Sequence, residues 1–367
     1  MRVLHLYTGN LYGGIERMLA TLAAAQRAVP GAEHEVALCF DGRLGRELSE
    51  AGTPPHLLGP VLRRRPWTVL RGRARLRRLL AGGGYQAAVC HAAWSLGVFG
   101  GTVHRGGVPL VFWQHDFVHH TGWADRAARR ARPVLVISNS RASLDTLGAF
   151  LPGAPARVLH YPVEPTAPAG GDRESVRAEI GVRPGEVVIV QASRMEAWKG
   201  HPLHLEALAR IRELPWVCWM AGGAQRPAEA RYLEGLRAQA ERLGIAGRVR
   251  FLGDRRDVPR LLAGADLFCQ PNAGPEPFGI AFVEAMYAGL PVVGVAMGGA
   301  PEVVDPACGI LVPPGDVEAL AGALARLVAD AGERGRLGAA GPAHARAMCD
   351  PARQVRRLNE LLAEVAP

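Results

Sequence analysis

The sequence predicts an α/β protein of two domains, each built on a parallel β-sheet. The chain has 367 residues, which is more than a single hydrophobic core usually serves. Short segments that are almost entirely apolar alternate with helix-length segments, a pattern typical of parallel strands covered by helices on both faces. The alternation stops at residues 162–172, which are rich in Pro, Ala and Gly, and then starts again. We interpret that stretch as an interdomain linker.

The first domain is predicted to span residues 1–165. It opens with a buried strand, Arg2–Tyr7, which is followed by a glycine-containing loop at residues 9–14 and a helix over residues 16–26. Further apolar strands are predicted at residues 34–40, 87–91, 110–114 and 134–138. Repeated strand and helix units of this kind predict a Rossmann-like domain.

The second domain is predicted to span residues 173–345 and repeats the Rossmann-like pattern. Its strands are predicted at residues 187–192, 216–221, 249–252, 267–270, 291–295 and 310–312, and its helices at 204–214, 229–243 and 317–329, the last capped by Asp316. Residues 346–367 contain an amphipathic segment outside this pattern, and we expect this C-terminal helix to pack back on the first domain. Two such domains predict parallel sheets that face a central cleft, with ligands at the carboxyl ends of the strands.

Composition excludes several classes of protein. Residues 1–165 hold 20 Arg against 10 Asp and Glu, so the net charge of +9 comes from the first domain. No apolar run is long enough to span a bilayer, and the chain begins directly with a strand rather than a signal peptide. The six cysteines fit no metal-binding spacing. These features predict a cytoplasmic protein, either free or peripheral on the inner face of the membrane.

Lysine occurs once in the chain. Of 43 basic residues, 42 are Arg and one is Lys199. Arg can replace Lys wherever a positive charge alone is sufficient, so a retained Lys indicates a site that needs a compact ammonium group. Retention by chance is the alternative.

The segment at residues 275–286 combines two glutamates with a helix predicted to begin at residue 278. Glu276 precedes a proline, which favours extended backbone. We expect it to meet a sugar hydroxyl and the charge that develops at an anomeric carbon, and we expect Glu284 to accept hydrogen bonds from a ribose diol. For each glutamate, a solvated helix face is the alternative. The free amides at the helix start would bind an anionic phosphate, and they belong to Phe278, Gly279 and Ile280.

This segment resembles the E-x7-E signature of glycosyltransferase family 4, whose members are retaining enzymes with the GT-B fold. Further blocks resemble those of the family in order and spacing, at residues 249–253, 265–267, 284–293, 298–302 and 309–316. The resemblance covers nearly all of residues 187–330. It implies transfer of a sugar from a UDP- or GDP-linked donor to a glycan, lipid or small-molecule acceptor. Leu252, in the first of these blocks, falls among the donor-binding residues.

The family's cationic phosphate pair falls on Arg194 and Lys199, which follow the predicted strand ending at residue 192. A leaving diphosphate gains negative charge as the glycosidic bond breaks, so two cations placed there act mainly in the transition state. The resemblance implies a same-face displacement, in which the departing phosphate oxygen takes the acceptor's proton. With Glu276, these cations are candidate catalytic residues.

Candidate residues in the first domain are Gly13, Gly14 and His115, and His115 is also a candidate catalytic residue. The two glycines follow the first strand and resemble the family's glycine loop near the donor diphosphate and the acceptor, although a plain loop is the alternative. His115 follows a predicted strand and matches the family's His at the sugar and acceptor side of the cleft. A structural histidine is the alternative, and His91 at another strand end is a weaker candidate.

No metal ion or other cofactor is expected besides the nucleotide-sugar co-substrate. No Asp-x-Asp motif occurs in the chain. The cations and the helix amides supply the charge that a metal would otherwise provide. His119 and His120, near Asp116, have no clear further ligand in the sequence.

An Arg-rich stretch in the first domain predicts a contact with an anionic partner. On a helix it gives cationic and apolar faces, and its Trp67 suits a headgroup boundary. We interpret it as a surface for an anionic membrane or an anionic acceptor, and a solvated helix is the alternative. No recognition motif accompanies the charge, so nucleic-acid binding is not expected. The arginines are Arg63, Arg64, Arg65, Arg71, Arg73, Arg75, Arg77 and Arg78.

Three other functions are weighed against sugar transfer. A sugar-nucleotide epimerase shares the double Rossmann-like architecture, but it is not expected to carry the whole series of motifs. A pyridoxal-phosphate phosphorylase needs a Schiff-base lysine, and the only lysine lies in the predicted phosphate site. A non-catalytic protein that binds a sugar nucleotide or a membrane is the third alternative. The presence of all four candidate residues of the second domain argues against it; they are Arg194, Lys199, Glu276 and Glu284.

Overall fold

The chain folds into two α/β units, each formed around a parallel β-sheet. The computed structural model describes residues 1–9, 11–118, 123–165, 172–224 and 226–366, except for the side chains of residues 123 and 124. One unit consists of Met1–Glu164 together with Cys349–Pro367, and the other of Pro165–Met348. The C-terminal segment therefore groups with the first unit.

The first unit contains a seven-stranded sheet in the order β3-β2-β1-β4-β5-β6-β7, with all neighbours parallel. The strands are β1 (Arg2–Tyr7), β2 (Glu33–Leu38), β3 (His56–Leu57), β4 (Ala87–His91), β5 (Leu110–Gln114), β6 (Leu135–Ser138) and β7 (Ala156–Val158). The helices are α1 (Gly14–Ala25), α2 (Arg43–Glu50), α3 (Pro66–Gly83), α4 (Ala92–Arg105), α5 (Trp123–Arg130), α6 (Arg141–Asp145) and α7 (Leu147–Phe150). The short edge strands β3 and β7 were not predicted, because two or three residues carry no periodicity.

The second unit contains a six-stranded parallel sheet in the order β10-β9-β8-β11-β12-β13. The strands are β8 (Val187–Ala192), β9 (Trp216–Ala221), β10 (Val249–Gly253), β11 (Leu267–Gln270), β12 (Val292–Val295) and β13 (Gly309–Val312). The helices are α8 (Asp172–Ile180), α9 (His201–Arg210), α10 (Pro227–Arg242), α11 (Val258–Gly264), α12 (Ile280–Tyr287), α13 (Ala300–Val303), α14 (Val317–Ala329) and α15 (Ala331–Cys349).

The final helix, α16 (Pro351–Ala363), lies against α1 of the first unit. It buries Val355, Leu358 and other apolar residues of one face. Where the chain returns to the first unit, the amide of Val163 donates to the carbonyl of Cys349 at 3.0 Å. Hydrophobic burial along one helix face thus attaches the C-terminus to the first unit.

Three helix starts in the second unit differ from prediction, and that of α10 differs by two residues. Helix α12 begins at Ile280 rather than at residue 278, because Gly279 has a left-handed φ of +96° and precedes the first helical residue. Helix α9 begins at His201 rather than at residue 204, with a proline in its first turn, where the missing amide N–H is not needed. The predicted cap of α14 is confirmed, since Asp316 accepts a hydrogen bond from the amide of Ala319 at 2.9 Å.

Gly200 lets two loops of the second unit approach each other closely. Its φ is +72°, and a β-carbon there would stand 1.6 Å from the carbonyl oxygen of Pro271. The carbonyl of Trp198 accepts hydrogen bonds from the amides of Ala273 and Gly274, at 2.8 and 3.2 Å. The loop after β8 is therefore joined to the loop after β11 by main-chain contacts.

Gly200→Ala is expected to destabilise the second unit more than a glycine substitution at a matched φ. Gly244 has a φ of +71° and open space around its α-carbon, so Gly244→Ala reports only the left-handed strain of roughly 1–2 kcal/mol. At position 200 the main chain must also move, which adds about 1–3 kcal/mol. Urea denaturation of both variants measures the difference. Equal losses in unfolding free energy would contradict the close approach.

Candidate functional site

The candidate residues of the second unit follow the two central strands of its sheet. The strand order reverses between β8 and β11, and in such sheets ligands bind beyond the carboxyl ends of the strands at that switch point. Residues 193–200 follow β8, and residues 271–279 follow β11. The topology therefore brings the Arg194–Lys199 loop and the Glu276 loop to one edge of the sheet.

The structure brings Lys199 into direct contact with Glu276. Lys199 Nζ donates to Glu276 Oε2 at 2.7 Å, although the two residues are 77 positions apart. The side chains are only 13% and 10% exposed. The ammonium group also stands 3.7 Å from the centre of the Trp198 ring, in a cation–π contact. Sequence analysis named both ionic partners but did not predict their contact.

Two amide side chains complete the environment of the Glu276 carboxylate. Oε2 accepts hydrogen bonds from Gln270 Nε2 at 3.2 Å and from Asn272 Nδ2 at 3.0 Å. The amide oxygens of Gln270 and Asn272 are buried and have no partner within the described part of the chain. Buried acceptors are rarely left unpaired, so these oxygens mark a place where a ligand or an ordered water completes the hydrogen bonding.

Main-chain packing also holds Glu276 in place. The Glu276 backbone bridges to Gly298, and the amide of Gly299 donates to the Glu276 carbonyl at 2.7 Å. A β-carbon at position 298 would lie 2.4 Å from that same carbonyl oxygen. The glycine pair after β12 is therefore required for the position of the Glu276 loop.

Arg194 is also paired with a carboxylate. Its Nη2 lies 2.9 Å from Glu196 Oε2, which accepts a further hydrogen bond from Trp198 Nε1 at 2.9 Å. Arg has five N–H donors, so one such contact orients the guanidinium and leaves donors available. Sequence analysis missed four residues of this site. For two of them, Gln270 and Asn272, the available signal was a polar residue at the end of an apolar strand or just after it. The missed residues are Glu196, Trp198, Gln270 and Asn272.

Helix α12 presents its first amides beyond β11. Gly279 is its cap residue and no side chain caps the helix, so the N-terminal amides can donate hydrogen bonds to an anion. Phe278 is a buried core residue and Ile280 is half-buried. Glu284 is buried in the second turn and takes part in an interaction within the protein. Leu252 is half-buried in β10, at a shift in the register with β9.

In the first unit, Gly13 and Gly14 begin helix α1 after strand β1. The amide of Gly13 donates to Glu16 Oε2 at 3.0 Å, and Tyr7 Oη donates to Glu16 Oε1 at 2.6 Å. Glu16 is buried. The carboxylate thus holds the glycine turn in its conformation, and the N-terminus of α1 follows the central strand β1.

His115, directly after β5, is the end of a chain of four buried histidines. The rings of His34, His5, His91 and His115 are joined by successive hydrogen bonds of 2.9, 2.8 and 2.7 Å. His115 Nδ1 lies 2.5 Å from Tyr161 Oη. Both ring nitrogens of His115 are therefore engaged inside the protein, an arrangement that its position in the sequence did not indicate.

Burial keeps these histidines neutral. Desolvation is the main cause for all four, and it lowers the pKa of His34 to about 4 and the pKa of His115 to about 3. The pKa values of His5 and His91 lie well below the ordinary value for the same reason, and the neighbouring histidines lower them further. The imidazolium form is thereby excluded at neutral pH.

Two arginines of the Arg-rich stretch donate to main-chain carbonyls, although one of them, Arg75, is also exposed. Helix α3 begins at Pro66, so the arginines at 63–65 precede it. Arg73 Nε donates to the carbonyl of Val98 at 2.7 Å, and Arg75 Nη1 donates to that of Leu58 at 3.1 Å. These two arginines, which were predicted to belong to the cationic surface, brace the first unit.

The sequence also raised the questions of metal binding and membrane contact. His119 and His120 lie outside the described residues. Within the residues that are described, no three His, Cys, Asp or Glu side chains are grouped so that they could hold a metal ion. None of the described helices combines the length and apolar character needed to cross a membrane.

Two family models match the chain, one in each half. Residues 12–167 match the model described as Glycosyltransferase Family 4, and residues 172–344 match the model described as Glycosyl transferases group 1. The chain belongs to glycosyltransferase family 4. Its two parallel-sheet units are those of the GT-B fold, as in Anabaena HepE, which was solved in complex with UDP and glucose. That structure matches with a TM-score of 0.87 and 27% identity, over 99% of this chain and 100% of HepE.

Curated relatives of this family 4 chain match it over part of their length. D-inositol 3-phosphate glycosyltransferase of Mycobacterium marinum is 36% identical over 189 residues, which are 50% of this chain and 40% of the relative. A GDP-mannose-dependent monoacylated alpha-(1-6)-phosphatidylinositol monomannoside mannosyltransferase of Corynebacterium glutamicum is 33% identical over 186 residues, 48% of this chain and 47% of the relative. The match thus spans less than half the length of each of these relatives.

The free energy of unfolding is expected to fall as the pH is lowered from 6.5 toward 4. The buried histidines are neutral in the folded chain, but the unfolded chain binds protons below about pH 6.5, so acid favours unfolding. The stabilisation is complete above about pH 6.5. It is lost progressively as the pH falls toward the pKa in the folded chain, which is about 4 for His34. His34→Gln should reduce the slope of the unfolding free energy against pH by up to ~1.4 kcal/mol per pH unit.

Urea denaturation at a series of pH values between about 7 and 5 measures this slope. His104→Gln is the control, because His104 is exposed, and it should keep the slope of the wild type. An unchanged slope for His34→Gln would show that His34 is not held neutral by burial.

Proposed function

We propose that this chain transfers a sugar from a nucleoside diphosphate sugar to an acceptor and retains the anomeric configuration. The observation that carries the proposal is the 2.7 Å contact between Lys199 and Glu276. In a nucleotide sugar the anomeric carbon is bonded to a phosphate oxygen, so the groups that serve the sugar and the phosphate must stand side by side. A carboxylate and an ammonium in contact, at the carboxyl end of the sheet, meet that requirement.

The charges around this pair suit a leaving diphosphate. An ammonium has three donors, of which Glu276 takes one, and Arg194 stands on the same loop with Glu196 as its partner. The first amides of α12 add a partial positive charge. These groups stabilise the charge that develops in the transition state, so the proposal requires neither a metal ion nor another cofactor.

The proposed step balances within the substrates. The bond from the anomeric carbon to the phosphate oxygen breaks, and a bond to the acceptor oxygen forms on the same face of the sugar. The acceptor's proton goes to the departing phosphate oxygen. Lys199, Gln270 and Asn272 hold Glu276 in position. Its negative charge stabilises the positive charge of the oxocarbenium-like state.

We further propose a UDP-linked or GDP-linked donor and an anionic or lipid-linked acceptor. The UDP in the HepE structure and the GDP-mannose in the name of the Corynebacterium relative support the donor class. The same relative is named for a phosphatidylinositol mannoside acceptor, and the Mycobacterium relative for an inositol phosphate. The excess of Arg in the first unit suits a negatively charged acceptor.

Lys199→Ala and Glu276→Gln are expected to lower kcat/KM for transfer by roughly 100-fold each, since each removes a transition-state contact. Initial rates with a panel of UDP- and GDP-sugars measure the effect, and product NMR reports the anomeric configuration. Arg242→Ala, an exposed cation of the same unit, is the control. Transfer at the wild-type rate by both variants would contradict the assignment, and loss of activity on chelation would contradict metal independence.

A double variant separates catalysis from folding. Removing Lys199 alone leaves a largely buried carboxylate without its counter-ion, which typically costs about 3–5 kcal/mol of stability. Lys199→Met combined with Glu276→Gln removes both charges. We expect its unfolding free energy to recover toward the wild type, while its activity stays low. Thermal unfolding and kinetics on the same samples distinguish the two effects.

We also propose that helix α3 contacts an anionic membrane, at its cytoplasmic face. Trp67 and Leu70 are 53% and 64% exposed, and Arg71, Arg77 and Arg78 are exposed as well. Their spacing of three, four, ten and eleven residues from position 67 places all five on one face of the helix. An aromatic and an aliphatic side chain next to a row of cations suit the boundary of a negatively charged bilayer.

Neutralising this face is expected to weaken vesicle binding by roughly tenfold or more. The test compares the wild type with Arg71→Gln, Arg77→Gln and Arg78→Gln combined, on vesicles of phosphatidylcholine with and without phosphatidylglycerol. The control removes three exposed arginines of the second unit, at Arg183, Arg231 and Arg242. Equal binding by both triple variants would refute a specific role for α3.

A further inference from the structure

The histidine chain of the first unit runs diagonally through the sheet. His34, His5, His91 and His115 belong to, or directly follow, the neighbouring strands β2, β1, β4 and β5. His34 pairs with Val3, two residues before His5, and each further step to the next strand also advances by two residues. Because side chains two apart share a face of a strand, all four rings lie on one face, with centroids 5.0 to 5.1 Å apart.

Each end of the histidine chain is hydrogen-bonded to a further polar side chain. At one end, His34 Nε2 lies 2.8 Å from Asn359 Oδ1 on helix α16. At the other end, His115 Nδ1 meets Tyr161 Oη. Tyr161 Oη in turn accepts from Asn139 Nδ2 at 3.1 Å. The chain therefore connects the C-terminal helix to the carboxyl end of β5.

Only two proton arrangements are possible along such a chain. A neutral imidazole has one N–H donor and one acceptor nitrogen, so each ring passes its polarity to the next. If one ring carries its proton on Nε2, the hydrogen bonds require all four to do so. If one carries it on Nδ1, all four must change together.

The Tyr161 end selects the Nε2–H arrangement. Asn139 Nδ2 also donates to the carbonyl of His115 at 3.0 Å, which assigns that atom as the nitrogen. The Tyr161 oxygen accepts from it and donates its own proton to His115 Nδ1. At the other end, Asn359 lies with Oδ1 toward His34 Nε2, an orientation that agrees with this polarity.

We propose that Tyr161 sets the tautomer and orientation of His115 and, through the ring-to-ring hydrogen bonds, those of His91, His5 and His34, and that it is a positioning residue for the transfer reaction. The same contacts hold the main chain at the end of β5, since Asn139 binds both the His115 carbonyl and Tyr161. This inference rests on the proposed function for its kinetic consequence only.

Nitrogen NMR of protein labelled with 15N-histidine tests the tautomers directly. We expect His5, His34, His91 and His115 each to show a protonated Nε2 and an unprotonated Nδ1, with assignments from single His→Gln variants. Any of the four with a protonated Nδ1 would overturn the proposal. This measurement does not depend on the donor or the acceptor, so it is separate from the proposed function.

Tyr161→Phe removes the hydroxyl that donates to His115 Nδ1 and keeps the buried ring. We expect the His115 nitrogen signals to shift toward a tautomer average, and kcat/KM for transfer to fall roughly tenfold, the usual effect of losing an orienting partner. The donor KM should stay unchanged, because the donor groups of the proposed step lie in the second unit.

Two further variants make the result decisive. Asn359→Leu removes only the far partner of His34, so His115 should keep its Nε2 proton and kcat/KM should stay unchanged. Val355→Ala loosens α16 at a buried position outside the histidine chain, and it should lower thermal stability while leaving the His115 signals and kcat/KM unchanged. Unchanged His115 signals in Tyr161→Phe, or equal effects of Tyr161→Phe and Val355→Ala on kcat/KM, would overturn the proposal.

Discussion

The contact between Lys199 and Glu276 is the interaction on which the second unit's site depends. Charged groups that leave water cost free energy unless they are paired and hydrogen-bonded. Here the Glu276 carboxylate accepts hydrogen bonds from the Lys199 ammonium and from two side-chain amides. The ammonium also lies over the ring of Trp198. The two partners come from loops after neighbouring central strands, so the sheet itself determines their separation.

At two positions the main chain around this pair leaves no room for a β-carbon. The loop that carries Lys199 passes against the loop after β11 at Gly200, and the Glu276 backbone passes against Gly298. Both glycines have positive φ as well as close neighbours. The side-chain chemistry of the site is therefore supported by backbone contacts that only glycine permits.

The first unit buries a row of four histidines inside an otherwise apolar sheet. A buried imidazole without partners would be costly, and each of these rings has a hydrogen-bonded partner on both sides. Such a fully connected network specifies one arrangement. It also joins the last helix of the chain to the strand end where His115 lies, so the C-terminal segment contributes more than apolar packing.

Sequence alone determined the number of sheets, most strand positions and the loops that carry the site, because apolar periodicity and strand-end placement are local properties. It also named Lys199, Arg194 and Glu276 as candidate residues of one site. Tertiary structure decided which groups touch. The Lys199–Glu276 contact joins residues 77 positions apart. The bond between His5 and His91 spans 86 positions. Such pairings depend on strand order and register, which arise only when the whole sheet assembles.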